Sequence, residues 1–197
     1  MAISPTGKPV PFKQKLIEIV EAEQQFFKGH TETEDKFSER VGVYWKEGVG
    51  LSLTGKDVGQ PWSAAFISWA MKKAGAGPNF PYSDHHGRYI LAAIQNRQAN
   101  KLDAPIVGFR VSERAPRPGD LIGQGRATSS SITYDEAAHE EHYPSHVDVV
   151  VDVGNGTLST IGGNVSDSVT RRTVPLDGNG LLAQPQGHWF VVIAVNL

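Results

Sequence analysis

His146-Val147-Asp148-Val149-Val150-Val151-Asp152-Val153-Gly154-Asn155-Gly156 is the stretch on which the fold turns. Valines at 147, 149, 151 and 153 alternate with His146, Asp148, Val150 and Asp152, the period-two pattern of a half-buried strand. Gly154-Asn155-Gly156 is a hairpin signal, and residues 157–161 read as the returning strand. If 154–156 is a three-residue loop, Val153 faces Thr157. Counting outward along the ladder then sets His146 opposite Asn164, at the same end of the sheet. Further strands are expected at 120–122, 171–174 and 189–195.

Toward the N-terminus the hydrophobic period changes from two to about 3.6. Phe12, Leu16, Ile17, Val20, Phe26 and Phe27 recur at helical spacing after Pro11, and Gly29 is a stop signal. Residues 35–46 form a second candidate helix, with Phe37, Val41, Tyr44 and Trp45 on one side. A glycine-rich loop at 48–59 leads to a third helix at 61–74, which stops at Gly75-Ala76-Gly77-Pro78. A fourth helix is expected at 89–100, with Ile90, Ala93 and Ile94 as its apolar side. Residues 1–10 read as a flexible lead-in and 123–145 as a polar loop insertion. Helices first and strands later predict one α+β domain over 1–197, its N-terminal helices packed on a C-terminal antiparallel sheet.

Composition narrows the function classes. Of the 197 residues 39% are hydrophobic and 20% charged, with a formal net charge of −2, which is ordinary globular balance. No basic stripe is present, so nucleic acid is not an expected partner. No run approaches the ~20 apolar residues of a membrane span. Residues 1–11 carry no apolar core of a secretory signal peptide. The absence of cysteine excludes disulfides, thiolate metal sites and a thiol nucleophile together.

Two groups of residues point to chemistry. Ser63 falls in the first turn of the third helix, on a stripe with Ile67, Ala70 and Ala74. The unpaired N–H groups and positive dipole end there favour a developing anion. A capping or small packing serine is the plainer reading of the helix pattern alone. His146 and Asn164 make the other group: an imidazole held by an amide oxygen is a base with its orienter. The Gly162-Gly163 pair is expected to bulge and re-aim Asn164. A surface histidine and a turn asparagine are the plainer alternative.

Four segments carry a resemblance. Pro61-Trp62-Ser63-Ala64-Ala65-Phe66-Ile67-Ser68-Trp69 resembles the nucleophile helix of the CHAP/NlpC-type, papain-like cell-wall amidases. Arg117-Pro118-Gly119-Asp120-Leu121-Ile122 is similar to the segment that opens their sheet. Ser145-His146-Val147-Asp148-Val149-Val150 is similar to their histidine strand, and Gly162-Gly163-Asn164 to the segment that supplies their third polar residue. A bacterial domain family of unknown function in the same clan is a closer likeness; it shares Tyr82-Ser83-Asp84-His85-His86 and has serine at the nucleophile position.

The resemblance implies a papain-like fold and a peptidoglycan amidase or endopeptidase that needs no cofactor. It implies catalytic roles for Ser63, His146 and Asn164, with His146 drawing the proton from Ser63. Gln60 is a candidate oxyanion donor, and Trp62, Tyr82, Asp84 and His85 are candidate substrate contacts. Trp62 in the core and Gln60 at a helix entry are the plainer readings. Without a leader, such a chain is expected to act in the periplasm or at the wall after non-classical delivery. It would do so as an antibacterial effector carried by a secretion system and met by an immunity protein, or as a phage lysin.

Ser63 departs from the cysteine of the CHAP/NlpC enzymes. A hydroxyl must lose its proton to a base during attack, whereas a thiol ionises readily. The departure leaves open a serine amidase, a replaced cysteine, or an inactive wall-binding module. His139, His142 and His146 offer a zinc-dependent amidase as a further alternative, although Pro144 interrupts the spacing.

Overall fold

The structure is a computed structural model that describes residues 11–183 and 188–197; the lead-in expected at 1–10 lies outside them. Five α-helices and a six-stranded antiparallel sheet are present among the described residues. The helices are α1 (Phe12–Phe27), α2 (Asp35–Val43), α3 (Ser63–Ala74), α4 (His86–Gln98) and α5 (Tyr134–Ala137). The strands are β1 (Ile106–Arg110), β2 (Leu121–Gly125), β3 (Ser145–Val153), β4 (Thr157–Gly162), β5 (Thr170–Pro175) and β6 (Trp189–Val195), in the spatial order β1-β6-β2-β3-β4-β5. The α+β class and the antiparallel sheet are as the period change predicts.

Helix α3 is the hub. Every residue from Ser63 to Met71 is buried, and only Lys72 and Lys73 near its end reach solvent. Small residues make this possible. A β-carbon on Gly48 would lie 2.6 Å from the Ala65 carbonyl oxygen, so the π-helical turn Tyr44–Val49 that continues α2 can rest directly on α3. An aromatic cluster of Phe27, Tyr44, Trp62, Phe66 and Trp69 fills the space between these elements. Each such ring removes 150–250 Å² from water, so this cluster is a main source of stability. Below it, Val147, Val149, Ile161, Val191 and Ile193 form the sheet side of the same core.

The other sheet face is covered as well. Ile122, Val150, Leu158, Val174, Leu182, Trp189 and Val192 form a second, smaller cluster. That corrects the half-buried reading of β3: His146 and Asp148 are buried alongside the valines, and only Asp152 and Val153 at its end emerge. Alternation in the sequence marks two faces, but it cannot say that the polar one is capped by its own partners.

Register in the hairpin also differs. Val153 pairs with Leu158, not Thr157, and a bulge between Val150 and Asp152 shifts the ladder back, so that Val150 faces Thr160 and Val149 faces Ile161. Ladder pairing with β4 begins at Val149, so residues 145–148 have no ladder partner in β4, although the Asp148 side chain still bonds Thr160.

Strand β1 and helix α5 were not legible as elements. Ile106–Arg110 is five residues interrupted by Gly108, whose β-carbon would lie 2.9 Å from the Ile94 nitrogen, so the glycine lets α4 sit on the strand. Helix α5 is a single turn inside the 123–145 segment, closed by a capping box in which Thr133 and Glu136 each accept from the other's backbone. That segment is therefore partly structured, not an open loop.

Candidate active site

Three helix and strand ends meet at one point. Trp62 precedes α3 without a side-chain cap, and its carbonyl accepts from Phe66 N at 2.9 Å. The amides of Ser63, Ala64 and Ala65 therefore lie ahead of the first intrahelical bond and are free to face an anion. Helix α4 begins at His86, three residues earlier than the apolar pattern suggests, and carries that side chain into the same space. The start of β3 brings His146.

The contacts differ from the expected triad. Ser63 Oγ lies 2.7 Å from His86 Nε2, not against His146. His86 Nδ1 bonds the Tyr89 hydroxyl, one helical turn along α4. His146 Nε2 bonds Asp148 Oδ1 at 2.7 Å, two residues along its own strand. The rings of His86 and His146 meet edge to face, 5.5 Å between centroids. The polar chain therefore runs Ser63–His86–Tyr89, with His146–Asp148 packed beside it.

Asn164 does not orient His146. Asp148 does, and among the described residues His146 Nδ1 has no hydrogen-bond partner. Asn164 adopts a left-handed backbone, φ 56°, in a loop that leaves the sheet. The Gly162-Gly163 pair makes space for the buried side chains around it. A β-carbon on Gly162 would lie 2.0 Å from Asp148 Oδ1 and 2.8 Å from His146 Nε2; one on Gly163 would lie 2.6 Å from the Phe66 ring. Gly162→Ala is expected to cost about 1–3 kcal/mol through overpacking against buried polar groups. Urea unfolding would show this as a lower midpoint at unchanged slope; an unmoved midpoint would mean that the His146–Asp148 pair has slack.

Protonation states follow from the surroundings. Burial acts to raise the Asp148 carboxyl, but His146, Arg172 and the Thr160 hydroxyl together hold it at about 2. Arg172 Nη2 lies 2.6 Å and Thr160 Oγ1 2.7 Å from Asp148 Oδ2. Asp148 is thus an ionised carboxylate that only accepts, so in the neutral tautomer of His146 the proton sits on Nε2 and the lone pair on the buried Nδ1. His86 is pushed well below the ordinary imidazole range, first by burial and then by His146. Its place on the first turn of α4 also disfavours a cation. It is therefore neutral. Burial raises the Tyr89 phenol, which stays protonated. The His86 tautomer that donates Nδ1–H to the Tyr89 oxygen leaves Nε2 to accept from the Ser63 hydroxyl, which is the tautomer a base requires.

The remaining expected residues are scattered. Trp62 is buried among aromatic rings and donates its indole N–H to Glu32, so it belongs to the core. Gln60 is exposed, with no side-chain hydrogen bond among the described residues. Tyr82 and Asp84 line a surface cavity. His85 is exposed, its ring 5.3 Å from that of His142. The histidines of the zinc alternative are not gathered at one point: His142 packs on His85 while His146 Nε2 is taken by Asp148. Among the described residues no group of three His, Asp or Glu side chains is arranged to hold a metal ion. No described helix is long and apolar enough to cross a membrane.

The fold and the site define an α+β protein with a serine–histidine pair at the convergence of two helix N-termini. The chain belongs to the family described as "Uncharacterized protein conserved in bacteria (DUF2272)", which matches residues 31–194. No curated protein matches the chain, and no solved structure does.

Proposed function

We propose that the chain is a papain-like serine amidase that cleaves amide bonds of peptidoglycan, with Ser63 as nucleophile and His86 as its proton acceptor. One observation carries the reading: a hydroxyl 2.7 Å from a neutral imidazole, at the uncapped start of a buried helix. The papain-like part is supported by a nucleophile helix packed on an antiparallel sheet whose strand start brings a second histidine to the same point. Peptidoglycan as the substrate rests on the likeness of residues 61–69, 117–122, 145–150 and 162–164 to wall amidases.

In the first step Ser63 Oγ attacks the amide carbon and its proton passes to His86 Nε2. The amides at the start of α3 face the oxygen that gains the charge. A depressed pKa makes His86 a modest base but a strong acid, and amide cleavage depends on protonating the leaving nitrogen. His86 gives that proton to the amine, which departs and leaves an ester on Ser63. Water then attacks the ester. His146 Nδ1 accepts the water's proton, and the nearby Asp148 carboxylate stabilises the resulting imidazolium. The proton returns to Ser63 Oγ as the acid leaves.

A second reading has its own observation. Ser63, His86 and His146 keep only 3%, 4% and 1% of their surface exposed, as a binding module with a sealed former site would. The 139–143 segment lies over the start of α4, where a β-carbon on Gly87 would lie 2.0 Å from the Glu141 carbonyl oxygen. A working enzyme must admit substrate past this closure. Mass spectrometry of purified peptidoglycan after incubation separates the two. New amine and carboxyl termini are expected, with kcat/KM flat from pH 8 to below 6.5, because the base is already neutral there. A base limb at or above 6.5 would assign the proton transfer to another group. Retained pelleting with wall sacculi and no new termini would support the binding module.

A further inference from the structure

A cavity of about 480 Å³ opens beside the chain segment that delivers His86. Lys46, Lys72 and Arg88 line it, with Asp84 as the one carboxylate, alongside Tyr82 and Ser83. Three cations against one anion gather here in a chain whose net charge is −2. Two of the three, Lys46 and Lys72, make no ion pair among the described residues. Among the described residues the Lys46 ammonium has no ion pair or hydrogen bond. Lys72 donates to a neutral acceptor, the Glu47 carbonyl, at 2.9 Å and lies 5.4 Å from the centre of the Tyr82 ring. Arg88 makes a single contact of 3.3 Å with Glu141, which leaves guanidinium donors unused. The nearby Glu47 carboxylate is occupied by Lys73 at 2.8 Å and the Trp69 indole at 3.1 Å, and Asp84 faces His85 at 3.7 Å.

The cavity is tied to the reacting serine by a fixed spacer. Buried Ser68 donates to the Ser83 carbonyl at 2.8 Å and accepts from Ser83 N at 3.1 Å, pinning the cavity wall to α3. Ser68 is five residues along the helix from Ser63, about 7.5 Å of rise, and Lys72 about 13 Å. An extended chain advances about 3.3 Å per residue. Lys72 therefore stands about four peptide residues along the helix axis from a carbonyl placed at Ser63.

We propose that this cavity is the subsite for a free carboxylate of the substrate, held about four residues from the amide that is cut. The inference rests on the amidase reading of Ser63 and specifies its substrate as a short acidic peptide. The test uses Ser63→Ala protein, so that nothing is hydrolysed. N-acetyl-tetraalanine with a free carboxylate and its C-terminal carboxamide are titrated separately, and binding is followed by NMR at low salt. The acid is expected to bind about tenfold more tightly than the amide, with the advantage shrinking in high salt. The exposed double variant Lys46→Gln/Arg88→Gln is expected to bring the two within about twofold while leaving the affinity of the amide and the thermal midpoint unchanged. Equal binding of the two peptides would overturn the proposal. So would discrimination that survives the double variant, or inorganic phosphate binding as tightly as the acid. Because binding is read without turnover, a wild-type protein that cleaves nothing would sink the amidase reading and leave this result standing on its own.

Discussion

Replacing Ser63 with alanine is expected to lower amine release from peptidoglycan by at least about a thousandfold, to the level of background. The scale follows from hydrolases of this chemistry, in which loss of the nucleophile removes nearly all of the rate that positioning alone cannot supply. Folding should survive. Deleting the hydroxyl removes one hydrogen bond, to His86 Nε2 at 2.7 Å, and leaves that nitrogen unpaired in a buried site. A loss of about 1–3 kcal/mol is the expected cost. Circular dichroism at assay temperature should therefore match wild type. Full activity in the Ser63→Ala protein would remove Ser63 from the chemistry, and an unfolded variant would be caught by the same spectrum. His86→Gln belongs with it: a glutamine N–H can still bond the serine oxygen but cannot take its proton, so release of amine should fall as far.

His146→Gln is expected to split the reaction in two. Glutamine can keep a donor near Asp148, which also retains Arg172 and Thr160, so the carboxylate does not become an unpaired buried charge. The variant has no counterpart of the Nδ1 nitrogen. If that nitrogen serves the hydrolytic water, one equivalent of amine per enzyme should appear in a burst and steady turnover should fall by about 10²–10⁴. The acyl group should remain on the protein, visible as an added mass. Loss of both burst and turnover would place His146 in the first step, alongside or in place of His86.

The difference between these two histidines is where the sequence was least legible. Ser63 on the leading turn of a helix and His146 at a strand start follow from period changes, and both hold. His86 did not stand out because hydrophobic periodicity in α4 is carried by Ile90, Ala93 and Ile94, so the helix is read as starting at Tyr89. A signal was present: His86 shares the i, i+4, i+7 stripe with Ile90 and Ala93, which puts an imidazole on a buried helix face. Asp148 was equally accessible. Period two places it on the face of His146, and the valines on both sides argue for burial, in which a carboxylate needs partners. Its partners, Arg172 and Thr160, lie on strands whose register depends on a bulge after Val150. No pattern of residue types announces that bulge. The ladder count that sets Asn164 opposite His146 fails beyond Val149, where pairing between β3 and β4 ends. The hydropathy pattern also could not show that β3 is covered on both sides, because the second cluster draws on Leu182 from beyond β5 as well as on the strands themselves.

Amidase chemistry at this site requires Ser63 to be a nucleophile activated by His86. Labelling with a fluorophosphonate, which a reactive serine attacks with loss of fluoride, reads this without any assumption about the natural substrate. Intact mass and peptide mapping should show one adduct per chain, on the peptide containing Ser63, formed by wild type and absent from His86→Gln. A chain that stays unlabelled while folded, or carries the adduct on another serine, would show that Ser63 is not the activated nucleophile.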